Sequence, residues 1–201
     1  MASGAITGQS HAAKAFSLVE EGGRDEAGVQ LLFDFSNVEL ATASYIKSSV
    51  LWFTSCGRMH AGIIDPEELR SLDNTHFKPL NVFPAVGGIN PEIEIELQEV
   101  FGGRGLACVT ATQWTDLAIK HGRVLGKMES TGIRTLRAIA DLSGLSEFTA
   151  YDLQERFPNE RVNATAWNNR LAELHRQRLL RRRKSGKFWK YQTVAEELVY
   201  G

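Results

Sequence analysis

VNATAWNNRLAELHRQRLLRRRKSGKFWKY, residues 162–191, reads as one helix running into a basic two-stranded hairpin. Asn163 is placed to cap the helix, because its side-chain oxygen can accept one of the amide protons that the first turn leaves unpaired. Trp167, Leu171 and Leu174 recur at helical spacing and give one apolar face. Thr165, Asn168, Asn169, Ala172 and Arg176 fall on the opposite face, a small and polar surface of the kind that can enter a major groove and reach base edges. Leu179 and Leu180 lead into Arg181, Arg182, Arg183 and Lys184, then the turn Ser185-Gly186, then a return arm Lys187-Phe188-Trp189-Lys190-Tyr191. A glycine turn between a basic arm and an aromatic arm is a hairpin signal.

Two further helices are expected upstream. Ile133, Leu136, Ile139 and Ala140 set the first, with Gly144 as its stop. Thr149 caps the second, with Asp152 placed as in a capping box, Leu153 and Phe157 facing inward and Pro158 closing it. Three helices and a hairpin over residues 129–194 resemble the winged helix-turn-helix domains of bacterial regulators. The resemblance implies that the third helix enters the major groove of duplex DNA with Thr165, Asn168 and Asn169 toward base edges, where Asn suits adenine, and that Arg170 and Arg176 flank it. Arg181, Arg182, Arg183, Lys184 and Lys187 are then expected to hold phosphates or to reach into the minor groove from the wing. Each of these residues also has a plainer reading as solvated surface, with Trp167, Trp189 and Tyr191 as packing groups. Winged helices also dock on proteins, so a non-enzymatic adaptor subunit of a multiprotein assembly is the alternative.

The distribution of charge divides the chain in the same way. The 201 residues carry a formal net charge of only −1. Residues 1–122 hold 8 Lys or Arg against 15 Asp or Glu, whereas residues 123–190 hold 15 against 7. An acidic half followed by a basic half is the asymmetry expected when only one half meets nucleic acid. We therefore expect two domains, 1–122 and 123–201, with the acidic one able to cover the basic one until a partner arrives.

The first half alternates helices and strands. An alanine-rich helix from Ser10 to Val19, ended by Gly22-Gly23, precedes Val29–Phe35, an apolar run suited to a strand buried on both faces. A helix starting near Thr42 or Ser44 puts Tyr45, Ile46, Ser49, Val50 and Phe53 inward, and Gly57 stops it. Residues 58–79 read as an irregular excursion, the place in the chain best suited to a specific contact. Leu80–Val86 is a second strand, Asn90 or Pro91 opens a helix with Ile93, Leu97, Val100 and Phe101 inward, and Gly105–Ala111 is a third strand. Trp114–Leu125 is read as a closing helix. The pattern is an α/β sheet with helical cover.

VQLLFDFSNVELATASYI, residues 29–46, resembles the core motif of STAS-like domains, in which an apolar strand ends in an Asp-apolar-Ser turn and small residues open the next helix. With the preceding alanine-rich helix, residues 5–122 are similar to the bacterial STAS-like family of undefined function. The resemblance implies regulation by contact with a protein partner or with a second copy of the chain. In related anti-sigma-factor antagonists the motif reads Asp-Ser-Ser-Gly, and a partner kinase phosphorylates its second serine. Ser44 of Thr42-Ala43-Ser44-Tyr45 matches that serine, with Thr42 in place of the acid and Tyr45 in place of the glycine. Read from the residues alone, Ser44 is a helix N-cap.

Enzymatic chemistry finds no support in the motifs. There is no G-x-x-x-x-G-K-[ST], no G-x-G-x-x-G after a strand, no G-x-S-x-G and no H-E-x-x-H. Asp34 ends a strand where an α/β active site would lie, without an identifiable partner acid or base. Cys56 and Cys108 are isolated, and His11, His60, His76, His121 and His175 lack ligand spacing, so neither metal nor cofactor is expected. No apolar run approaches the ~20 residues that span a bilayer, which predicts a soluble, cytoplasmic chain without membrane contact.

Overall fold

The computed structural model describes residues 4–21, 28–56, 82–116, 118–142 and 145–201, and it is a mixed α/β fold. The excursion expected over 58–79 and the glycines at 22, 23, 57 and 144 lie outside the described residues. Helix α1 (Ala5–Glu21) precedes strand β1 (Val29–Asp34); helices α2 (Ala43–Ser48) and α3 (Val50–Cys56) follow. Strand β2 (Val82–Gly87), helix α4 (Pro91–Gly102) and strands β3 (Ala107–Trp114) and β4 (Ile119–Gly126) complete the first half. Helices α5 (Ser130–Ala140), α6 (Ala150–Arg156) and α7 (Ala164–Arg176) lead to hairpin strands β5 (Leu180–Ser185) and β6 (Phe188–Thr193), and β7 (Glu197–Tyr200) ends the chain.

The main sheet has the order β1-β2-β3-β4-β7. Parallel pairs β1–β2 and β2–β3 are joined by helical crossovers, as parallel strands require. β3 and β4 are antiparallel, and β4 pairs with β7 in parallel.

Three expectations are corrected here. The segment 114–125, expected as a helix, is a turn followed by a strand: the Thr115 amide donates to the Ala118 carbonyl at 2.9 Å and reverses the chain into β4. Gly122 lies at mid-strand, where an added Cβ would stand 3.0 Å from the Ala195 side chain and 3.1 Å from Leu198, so the strand runs close under its cover and a side chain there would press on both. The boundary expected between residues 122 and 123 falls inside β4, and β7 returns the end of the chain to the sheet of the first half. β1 is an edge strand and only half-buried; the strand covered on both faces is β2, buried at all 6 positions.

Alternation along β2 explains the layers. Val82 and Val86 face α1–α4, where they meet Phe53, Ile46, Ile93, Leu97 and Phe101. Phe83 and Ala85 face the opposite way and join Val109, Ala111 and Val124 in one core with Leu136, Leu153, Trp167, Leu171, Leu174 and Leu179. The sheet is therefore sandwiched between the N-terminal helices and the helix–hairpin module, and the module is an integral layer of the fold.

The single helix expected after β1 divides at Ser49, whose hydroxyl donates to the Tyr45 carbonyl at 2.7 Å. Its cap is Thr42, whose Oγ1 accepts from the Tyr45 amide at 3.3 Å, so the N-cap expected at Ser44 is corrected. Ser44 is the second helical residue and is exposed. At the carboxyl end of β1, Asp34 Oδ1 accepts from the Ser36 hydroxyl at 2.6 Å and from its amide at 2.9 Å, and these bonds lower the Asp34 pKa. Gly88, at φ 64°, lets the neighbouring turn approach to a distance that a Cβ would close to 2.2 Å from Ser36 Oγ.

His175 sits where the module meets the sheet, its ring 5.8 Å from that of Phe83 and its Nδ1 2.9 Å from the Leu180 carbonyl oxygen. Burial pushes its pKa down to about 4, aided by the charges of Arg182, Arg178 and Arg176 and opposed by the bond to Leu180. A histidine whose folded pKa lies below its unfolded value takes up protons on unfolding, so stability is full above the unfolded pKa near 6.5 and is lost as pH falls toward 4. Urea unfolding at pH 7.5 and pH 5 should differ by about 2 kcal/mol, and His175→Gln should remove most of that difference. An equal difference in the variant would trace the pH dependence to other groups.

Candidate nucleic-acid interface

The local signals in the module act as the residues dictate. Asn163 Oδ1 accepts from the Ala166 amide at 2.8 Å and starts α7, and Thr149 and Asp152 close a reciprocal capping box at the start of α6. Trp167, Leu171 and Leu174 are buried, which leaves Thr165, Asn169 and Arg176 on the exposed side of α7. Ser185 pairs with Phe188, so the hairpin turn is Gly186-Lys187, one residue later than expected; Gly186 at φ 58° supplies the positive angle that this turn demands at its first central position. The amide of Phe148 donates to the Tyr191 carbonyl at 2.9 Å, and the Tyr191 amide returns a bond to the Phe148 carbonyl at 2.8 Å, so the hairpin is anchored to the segment before α6.

A cleft of about 410 Å³ opens between the start of α6, the start of α7 and the hairpin. Thr165 and Asn168 line it from α7, Lys187, Phe188 and Trp189 from the hairpin, and Thr149 and Tyr151 from α6. Tyr151 and Phe188 are exposed and meet edge to face at 5.4 Å. These two aromatics do not figure among the sequence candidates. Their signal was the position of Tyr151 just inside a capped helix and of Phe188 just past the turn, where neither has an inner-face role.

The ten candidates do not form one surface. Asn169 and Arg170 turn to a second hollow, of about 720 Å³, shared with Lys127, Glu129 and Gly132 at the start of α5. The Arg170 guanidinium also lies over the Trp167 ring at 4.9 Å. Arg176 is ion-paired with Glu173 one turn back.

The run of four cations is divided by strand alternation and by its neighbours. Arg181 points into the sheet, where its guanidinium donates to Gln30 Oε1 of β1 at 2.7 Å and lies 5.9 Å from the Phe83 ring. Arg182 lies over the Trp189 ring at 4.4 Å and stands across from Tyr191 in the hairpin. Arg183 holds Glu147 through two bonds of 2.6 Å, with Lys190 at 3.5 Å from the same carboxylate. The Arg183 hydrogen bonds hold the Glu147 pKa below the usual carboxylate range. Lys184 and Lys187 are exposed and have no ion-pair partner among the described residues; Lys184 Nζ stands 5.8 Å from the Trp189 ring. The expectation that Arg181, Arg182 and Arg183 hold phosphates is therefore not met by their placement: strand alternation sends Arg181 inward, and the other two are engaged by Trp189 and Glu147.

Among the described residues, no group of three or more His, Cys, Asp or Glu could hold a metal ion, and no helix is long and apolar enough to cross a membrane. Cys108 is buried, and burial pushes its thiol pKa up to about 12. Compared with protein-family models, with curated proteins and with solved structures, the chain finds no match in any of the three.

Proposed function

We propose that the chain is a DNA-binding regulatory protein: a winged helix-turn-helix module, α5–α7 with the β5–β6 hairpin, meets duplex DNA, and a STAS-like layer meets a protein partner or a second copy of the chain. The observation that carries this reading is the cleft in which Thr165 and Asn168 of α7 lie beside a hairpin whose Lys184 and Lys187 are exposed. Polar groups that can read base edges and cations that can neutralise phosphates then belong to one face. Ser44, exposed at the start of α2, is the proposed position of a phosphate, which would add about two negative charges to the partner surface.

The test is fluorescence anisotropy of a labelled mixed-sequence duplex with the full chain, across a salt titration. Binding that weakens as salt rises, with a logarithmic slope near −2 from the two lysines alone and steeper with each added contact, is the expected result. Absence of salt-dependent binding at low ionic strength would overturn the reading. The adaptor alternative is favoured by a specific observation, the pairing of Arg176 and Arg183 with acids of the chain itself. An adaptor would ignore the duplex and co-purify with a protein at fixed stoichiometry.

A further inference from the structure

Asn168 sits at the cleft wall, half-buried, and its Oδ1 accepts a hydrogen bond of 3.0 Å from the Tyr191 hydroxyl. Tyr191 is wholly buried, so this bond turns the amide oxygen toward the core. A phenol hydroxyl has one proton to give, and here it goes to the Asn168 amide oxygen. With the oxygen held by Tyr191, the amide nitrogen and its two protons are the end left for the cleft that Asn168 lines.

An asparagine reads adenine by accepting from N6 and donating to N7, which needs both ends of the amide. Guanine presents two acceptors, O6 and N7, on the same edge. We infer that Asn168 is a specificity-determining residue that offers donors only, and that it selects a guanine edge over an adenine edge in the duplex. This rests on the DNA-binding reading and corrects the simple expectation that the asparagines of α7 favour adenine. Tyr191 is a positioning residue in this arrangement: it touches no base and determines which end of Asn168 does.

The experiment selects duplexes from a pool with a randomised central segment, using the full chain and the variants Asn168→Ala, Asn168→Asp and Tyr191→Phe. The position whose preference disappears in Asn168→Ala is the one that Asn168 reads. In the unaltered chain guanine should be preferred there by about fivefold or more over adenine. Tyr191→Phe keeps the ring in the core and frees the amide to turn, so the preference at that position alone should move toward adenine. Asn168→Asp keeps the shape and the bond from Tyr191 but presents an acceptor, so cytosine, with its N4 donor, should replace guanine. A role confined to packing would leave base preference unchanged in all three variants. Adenine at that position in the unaltered chain, or no change of preference in Asn168→Ala, overturns the inference while DNA binding stands. Retention of no duplex overturns the DNA-binding reading, and this inference with it.

Discussion

Deleting residues 196–201 will cost the protein enough stability to unfold both halves together. β7 is a short strand, yet four of its residues pair with β4, and Leu198, 6 % exposed, closes the core that Phe83 and Val109 share with Leu171 and Trp167. Leu198 and Ala195 also cover Gly122, where β4 has no side chain of its own to seal the face. At the strand's entry Glu196 and Glu197 pair with Lys120 and His121, exposed contacts that add little. Removing the Leu198 side chain alone, as Leu198→Ala, should cost about 2–4 kcal/mol from lost burial and the cavity left behind. The deletion also strips β4 of one of its two partners and makes it the sheet edge, against a total stability on the order of 5–15 kcal/mol for a domain. Urea unfolding followed by tryptophan fluorescence and by far-UV circular dichroism should give coincident transitions in the full chain, because one core spans the sheet and the module. Two separated transitions, or a loss below about 1 kcal/mol for Leu198→Ala, would show that the halves are independent after all.

The second large effect concerns the cations. Lys184→Ala with Lys187→Ala should reduce the salt dependence of duplex binding by about two logarithmic units per unit of log salt and weaken binding about tenfold or more at low ionic strength. The loss should be the same on every duplex, because phosphate contacts carry no base information. Arg183→Ala should change affinity far less, because Arg183 already holds Glu147. Arg181→Ala should act on stability, through its bond to Gln30, and leave the salt slope alone. Four consecutive cations thus make unequal contributions, and equal losses from all four would contradict the placement of Arg181 and Arg183. Anisotropy titrations of the single and double variants at several salt concentrations separate these outcomes.

Much of the local architecture could be read from residue patterns. Asn163, Thr149 and Asp152 act as the caps their types suggest, since capping depends on atoms within one turn. Asn90 caps α4 with Pro91 in its first turn for the same reason. The buried faces of α4 and α7 follow the 3.6-residue period of Ile93, Leu97, Val100, Phe101 and of Trp167, Leu171, Leu174. Strand β4 resisted such a reading. Its end is covered on both sides, with Val124, Leu125 and Gly126 all buried, so the alternation that marks a strand is absent. β7 was too short, at 4 residues, to signal more than a brief apolar run.

The candidate interface divides along the same line. That α7 has a polar face and that a basic hairpin follows it are properties of residues close in the chain, and the sequence by itself determined them. Which of the cations remain unpaired was decided by partners far away: Gln30 is 151 positions from Arg181, and Glu147 is 36 positions from Arg183. The orientation of the Asn168 amide depends in the same way on Tyr191, 23 positions on. Spacing along a helix or strand fixes the side on which a group emerges, because the backbone repeat is local. What the group then meets depends on how layers pack, and the return of β7 to the first sheet set that packing for the whole chain.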